Sequence, residues 1–259
     1  MSALAGKCIL VTRALEQARP TEVLLTERGA LPELFPCLEV EFHPDEVRRG
    51  LNLLHGPGSE ALFTSANGVA AVQRVLGEDV DRTFSQVRVA AVGRKTAEAL
   101  FGLGVKPAVV PELYSQEGLL EAYETLGLPR RLVFFRASEG RDLIVDALRS
   151  KGIEVELVKA YDTVCPRQDS APIIAELRRG NIDAVLLASG KTARHYVRRI
   201  GDAQLASRPA VAVISPQVAN ACAELGLTVQ AVAKKATLEA MLSALELYFE
   251  QGEPSHVDI

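Results

Sequence analysis

The sequence predicts an α/β protein built on parallel sheets, and three observations carry that prediction. Short apolar runs that read as buried strands alternate with helical stretches along the whole chain, the arrangement that covers both faces of a parallel sheet. The chain also repeats itself. Cys8-Ile9-Leu10-Val11-Thr12-Arg13 lines up with the run ending in Phe134-Phe135-Arg136 at an offset of 123, so that Arg13 matches Arg136 and Gly29 matches Gly152. The offset then holds almost constant. Ala61 to Ser65 parallels Val185 to Ser189 at 124, and Val89 to Gly93 parallels Val211 to Ser215 at 122, as Ser115 to Leu120 does Thr237 to Leu242. Two copies of a unit of about 120 residues follow from this.

In the first copy, residues 7–13 read as a buried strand, followed by a helix from Glu16 to Arg28 that Gly29 closes. Leu34 to Val40 reads as a second strand, and Glu41 to Asp45 as a polar break in which Pro44 stops any helix. A helix from Val47 to His55 ends at Gly56-Pro57-Gly58. Ala61 to Phe63 is a strand, and Ser65-Ala66-Asn67-Gly68 leads into a helix from Val69 to Leu76. The strand Val87 to Val92, the helix Thr96 to Gly102 and an edge strand Pro107 to Pro111 come next. Ser115 caps a helix from Glu117 to Leu126, because its hydroxyl accepts from the open N–H groups of the first turn.

The second copy repeats the pattern. Strand 132–135 leads to helix 142–151 and strand Glu154 to Tyr161, and the polar stretch Asp162 to Pro172 is the counterpart of the break after Val40. Helix Ile173 to Arg179, strand Ala184 to Leu187, helix Thr192 to Ile200, strand Ala210 to Ile214, helix Val218 to Leu225, strand Thr228 to Val232 and helix Leu238 to Glu250 complete it, with 253–259 as a tail.

Composition narrows the function. The net charge of −4 argues against bulk attraction for nucleic acid. No apolar run approaches the ~18–20 residues of a membrane span, and the N-terminus lacks a basic region followed by a long apolar core, so a cytoplasmic protein is expected. Cys8, Cys37, Cys165 and Cys222 are scattered without a CxxC pair and read as reduced structural thiols, and His43, His55, His195 and His256 have no metal-like spacing. No P-loop lysine motif and no GxGxxG follows a strand, and Gly93-Arg94-Lys95-Thr96 holds a single glycine. Neither Ser65 nor Ser189 lies in GxSxG, which leaves helix capping as their simplest role. No cofactor and no metal are expected.

In parallel sheets, ligands gather at the carboxyl ends of the strands. That rule selects Arg13, Thr64, Ser65, Asn67, the Gly93 to Thr96 turn, Arg136, Ser138, Ser189, Lys191, Ser215 and Gln217. Arg94, Lys95, Arg141 and Arg194 add cations near these exits, so a negative protein concentrates positive charge where an anionic ligand would sit. Helix N-termini there offer further N–H groups. Tyr161, at the end of a largely apolar strand, is either an amphipathic strand-end residue or a proton donor in the site.

Phe63-Thr64-Ser65-Ala66-Asn67-Gly68-Val69, Ala90-Ala91-Val92-Gly93-Arg94-Lys95-Thr96-Ala97 and Val158-Lys159-Ala160-Tyr161-Asp162-Thr163, with the opening Ile9-Leu10-Val11-Thr12-Arg13, resemble uroporphyrinogen-III synthases over nearly the whole chain. The resemblance implies two flavodoxin-like parallel-sheet domains joined by a two-stranded linker, with a cleft between them. One domain would combine residues 1–37 with 168–259, and the other would span 42–162. It implies cyclisation of hydroxymethylbilane, a linear tetrapyrrole, with loss of water and inversion of ring D, by a cytoplasmic monomer supplied by the preceding pathway enzyme. Tyr161 would assist hydroxyl departure. Thr64, Ser65, Asn67 and Thr96 would be cleft residues. Where the family often has a Thr-rich turn, this chain has Ser215-Pro216-Gln217-Val218, so backbone N–H contacts are implied there, with Ser215 and Gln217 as side-chain donors. The rival readings are a two-domain binding protein for a small anion, without chemistry, and a signalling domain. The latter needs a phosphorylatable Asp at a strand end, where this chain carries Arg13 and Arg136.

Overall fold

A computed structural model describes residues 2–54 and 56–252; the helix end expected at His55 and the tail at 253–259, with His256, lie outside the described residues. In chain order the elements are β1 (Cys8–Val11), α1 (Arg19–Glu27), β2 (Leu31–Leu34), β3 (Glu39–Phe42), α2 (Pro44–Leu51), β4 (Ser59–Phe63), α3 (Ala66–Leu76), α4 (Val80–Phe84), β5 (Arg88–Ala91), α5 (Arg94–Phe101), α6 (Gln116–Leu126), β6 (Arg131–Ala137), α7 (Leu143–Ser150), β7 (Glu154–Val164), α8 (Ala171–Arg179), β8 (Ala184–Leu187), α9 (Gly190–Ile200), α10 (Ala203–Ala206), β9 (Ala210–Val213), α11 (Pro216–Glu224), β10 (Ala231–Val232) and α12 (Leu238–Glu250). The α/β class and the parallel sheets are as the sequence predicts.

The chain forms two compact units, Met1–Glu39 with Val164–Ile259 and Val40–Thr163. The first unit holds a sheet of order β2-β1-β8-β9-β10, which is the flavodoxin-like order 2-1-3-4-5. The second holds β3-β7-β6-β4-β5. Counted from β6, its β7-β6-β4-β5 gives 2-1-3-4, and Val109, bridged in parallel to Ala90, takes the fifth place. Each sheet therefore draws its first two positions from one repeat and the rest from the other.

Both faces of each sheet are covered. On β6, Val133 and Phe135 pack with Phe63, Val69 and Val158, while Leu132 and Phe134 pack with Leu119, Ile144 and Leu148. Alternation along a strand buried on both sides dictates this division. Phe63 and Phe135 stack at 5.3 Å between centroids. Truncating a ring buried to this degree costs about 3–5 kcal/mol.

Five local expectations need correcting. The strand expected from Leu34 to Val40 is two strands in two sheets. β2 ends at Leu34 and its ladder continues through Phe35 and Cys37, whose N–H groups donate to Val11 and Thr12 carbonyls; Pro36, without an N–H, interrupts it. The break expected at 41–45 is also shorter, because β3 runs to Phe42 and Pro44 sits in the first turn of α2, where a missing N–H costs nothing. β7 continues past Tyr161 to Val164, so its polar end is strand rather than loop. The edge strand at 107–111 reduces to the Val109 bridge, and β10 is shorter than expected. The short helices α4 and α10 have no counterpart among the elements that the sequence predicts. Among the described residues no helix is long and apolar enough to cross a membrane.

Candidate active site

In the order 2-1-3-4-5, the strand order reverses between strands 1 and 3, and the crevice there is the usual ligand site. In the second unit that crevice lies at the exits of β6 and β4, and β7 delivers Tyr161 to it. The register between β6 and β7 pairs Arg136 with Lys159 but Ala137 with Tyr161, so Ala160 is the extra residue of a bulge. Bulges re-aim the side chain that follows them. The tyrosine is then fixed from both sides. The Ser138 N–H donates to the Tyr161 carbonyl at 3.0 Å, and the His43 N–H donates to the Ala160 carbonyl at 3.0 Å. His43 Nε2 also meets Asp162 Oδ2 at 2.9 Å.

So held, Tyr161 is 7% exposed, and its hydroxyl lies 2.7 Å from Ser65 Oγ. Ser65 is extended, with φ −151°, and caps α3 by accepting from the Gly68 N–H at 3.3 Å. Gly68 lets α3 start directly over β6, because a Cβ there would stand 2.9 Å from the Phe135 carbonyl oxygen. The hydroxyl of a buried tyrosine is thus joined, through one serine, to the open end of a helix. Thr64 and Asn67 flank this pair in sequence, with Thr64 half-buried and Asn67 at the first turn of α3.

The β5 exit differs from the sequence expectation. Gly93 caps α5 at φ +97°, a conformation that favours glycine, and offers no side-chain cap. Thr96 is 3% exposed, whereas Lys95 is exposed and Arg94 pairs with Glu98 at 3.4 Å on the outer face of α5. Arg136 departs most. Its side chain is buried, and its guanidinium donates to Asp142 Oδ1 at 2.7 Å and to the carbonyls of Arg141 (3.1 Å) and Ala137 (3.2 Å).

In the first unit the equivalent crevice lies between β1 and β8. Val11 pairs with Leu186, so Arg13 leaves its strand level with Ala188, next to Ser189. Ser189 caps α9 through the Thr192 N–H (3.1 Å) and meets the Thr192 hydroxyl at 2.8 Å. Lys191 follows in the first turn, half-buried. One strand further, Ser215 caps α11 through the Val218 N–H at 3.4 Å, and Gln217 is exposed. The predicted residues therefore fall into two sets on two units. Arg13, Ser189, Lys191, Ser215 and Gln217 belong to the first unit, and the others to the second.

Several supporting residues escape a reading of sequence alone. Thr12 is buried and donates from Oγ1 to the Leu186 carbonyl, tying β1 to β8 at the crevice floor. His195 and Arg199, one turn apart on α9, hold the segment that leaves β2. His195 Nδ1 lies 2.7 Å from the Cys37 carbonyl oxygen and so carries the proton. Burial, followed by nearby cations, keeps this imidazole below the ordinary histidine range. Arg199 donates to the carbonyls of Pro36 and Gln168. The i, i+4 spacing of His195 and Arg199 is the only signal of this in the sequence. Among the described residues no group of three or more His, Cys, Asp or Glu side chains could hold a metal ion.

Two parallel sheets of flavodoxin-like order, each presenting polar strand exits at its point of reversal, define a two-unit α/β protein of the class whose ligands sit at strand carboxyl ends. The chain belongs to the uroporphyrinogen-III synthase family. The family model described as uroporphyrinogen-III synthase HemD matches residues 20–243. A uroporphyrinogen-III synthase of Synechococcus elongatus is 32% identical over 96% of this chain and 97% of its own length. The Escherichia coli protein of that name is 28% identical over 92% of this chain and 99% of its own. Two crystal structures share the fold. One is a mutant uroporphyrinogen III synthase from the extremely thermophilic bacterium Thermus thermophilus, with a TM-score of 0.60 at 20% identity, covering 95% of this chain and all of that one. The other is the uroporphyrinogen-III synthetase of Helicobacter pylori, with a TM-score of 0.62 at 16% identity, covering 93% of this chain and 99% of that one.

Proposed function

We propose that this chain is a hydro-lyase of tetrapyrrole biosynthesis that converts hydroxymethylbilane to uroporphyrinogen III. The observation that carries the mechanism is the hydroxyl pair of Tyr161 and Ser65, 2.7 Å apart at the bulge of β7. Loss of the substrate's hydroxyl group breaks a C–O bond and leaves an azafulvene cation. Tyr161 donates the proton with which that hydroxyl departs as water, and Ser65 orients the phenol. Ring closure through a spiro intermediate then inverts ring D. The substrate supplies much of the electronic driving force. The protein holds a flexible polycarboxylate in a reactive fold and stabilises developing charge. The N–H groups that open α3, α5, α9 and α11 suit the carboxylates. We further infer a cytoplasmic monomer that receives its substrate from the enzyme that makes hydroxymethylbilane.

The test supplies freshly made hydroxymethylbilane, oxidises the products and separates uroporphyrin isomers I and III. A protein-dependent excess of isomer III is expected. Isomer I alone, the spontaneous product, overturns the reading in favour of a binding protein without chemistry. Tyr161→Phe is expected to lower turnover while leaving binding in place; parental turnover would remove the tyrosine from the mechanism.

A further inference from the structure

We infer that the two repeat-equivalent arginines do different work: Arg13 anchors substrate carboxylates, whereas Arg136 is a positioning residue that holds Tyr161 through the loop between them and touches no substrate. The inference rests on the functional reading above.

Arg136 is 6% exposed. On β6 it shares the face of Leu132 and Phe134, and its guanidinium lies over the Phe134 ring at 5.3 Å. Tyr161 packs in the core on the other face, with Phe63 and Phe135. The guanidinium spans the loop from Ala137 to Asp142 with three hydrogen bonds. The loop closes so tightly around it that a Cβ at Gly140 would stand 2.3 Å from Nη2. Three of the five N–H donors, on Nε and Nη1, are committed to the loop, and Nη2 is packed against Gly140, so the guanidinium is oriented toward the loop. What the clamp does present is Ser138, whose N–H holds the Tyr161 carbonyl immediately beyond the bulge. Relaxing the clamp frees the backbone on one side of the tyrosine.

Arg13 occupies the same place in the other repeat without any of this. It is half-buried, and among the described residues it has no ion-pair or hydrogen-bond partner. The residue equivalent to Asp142 at the offset of 123 is Arg19, which is exposed, and that to Gly140 is Gln17. A cation replaces the clamping carboxylate, so no clamp is available. The neighbouring helix α9 has no acidic residue, and it exposes Arg194 and Arg198 one turn apart. Like charges three and four residues apart destabilise a helix, and cations near its N-terminus oppose its dipole. A polycarboxylate relieves both and meets in Arg13 an uncommitted guanidinium.

Steady-state formation of isomer III from hydroxymethylbilane separates the two roles. Arg13→Gln is expected to raise KM roughly ten-fold, with kcat within about two-fold, and to weaken the salt dependence of KM. Arg136→Gln is expected to lower kcat roughly ten-fold or more with KM little changed. Arg136→Lys discriminates further: lysine keeps the charge but not the fork, so kcat stays low if Arg136 is a clamp and recovers if it serves as an anion contact. Asp142→Ala removes the acceptor that closes the clamp from the exposed side and keeps the arginine, which covers the case in which Arg136→Gln fails to fold. It is expected to lower kcat. Parental kcat in Asp142→Ala, rescue by Arg136→Lys, or a parental KM in Arg13→Gln overturns the division of roles. If the parent protein yields only isomer I, the functional reading itself fails, whatever the variants do.

Discussion

The amino ends of the two sheets solve the same packing problem with opposite chemistry. In the second unit Glu60, fully buried on β4, accepts from the Tyr123 hydroxyl on α6 and pairs with Arg88 Nε of β5 at 2.9 Å. In the first unit the positions equivalent in register and offset are Ala184, Leu245 and Ala210, all buried. One scaffold thus accepts a buried ionic triad or a purely apolar set at the same place. The triad is not required by the fold. Its carboxylate is expensive to desolvate, and its one hydrogen bond, from Tyr123, and its ion pair with Arg88 only offset that cost while all three members are present. Arg88 has a second task that the first unit lacks: it donates to the Leu126 and Gly127 carbonyls, closing the C-terminal end of α6.

The comparison breaks most sharply if one member is removed. Arg88→Ala leaves the Glu60 carboxyl buried with a phenol alone, and is expected to cost about 3–5 kcal/mol in urea unfolding. Replacing the triad by an apolar set of similar volume, Glu60→Met with Arg88→Met and Tyr123→Phe, is expected to restore parental stability or exceed it by about 1–4 kcal/mol. A triple variant weaker than Arg88→Ala would mean that the triad does more than fill space in α6 packing.

The helix caps give a finer comparison at the carboxyl ends. Ser65 and Ser189 cap α3 and α9, helices related by the offset of 124 along their whole length. Each serine-to-alanine change is expected to cost about 1 kcal/mol of stability. Only Ser65→Ala is expected to lower kcat as well, because only Ser65 meets Tyr161. Equal kinetic losses in both variants would reduce the Ser65–Tyr161 contact to packing.

These differences mark where the sequence is readable. Apolar runs, glycine stops and capping hydroxyls are local, and they locate most strands and the starts of α6 and α12; the offset locates their partners in the other copy. What stays hidden depends on register or on tertiary partners. The bulge at Ala160 shifts the pairing by a single residue and leaves no mark on the pattern of Val158 to Thr163. Arg136 ends an apolar run just as Arg13 does, and only the fold shows that Asp142 turns back to bury it. Pro44 reads as a helix breaker, yet it opens α2. Leu34 to Val40 has the composition of one strand, although its two ends pair in different sheets.

The smallest expected effect concerns pH. Burial holds the Glu60 carboxyl above the usual carboxylate range, and the Tyr123 hydrogen bond and the Arg88 charge only partly oppose it. The folded protein then takes up this proton more readily than the unfolded chain. The group's contribution is therefore fully present below the unfolded value, ~4.3, and is lost as pH rises through the raised folded value. The apolar triple variant has no such group. Its stability relative to the parent is expected to improve from about pH 4 to about pH 7, read as the difference in urea midpoints at matched ionic strength. A difference that moves the other way would mean that Arg88 and Tyr123 outweigh the cost of burial. The ionic triad would then be a net stabilising feature at neutral pH, and the apolar solution of the first unit would be the weaker of the two.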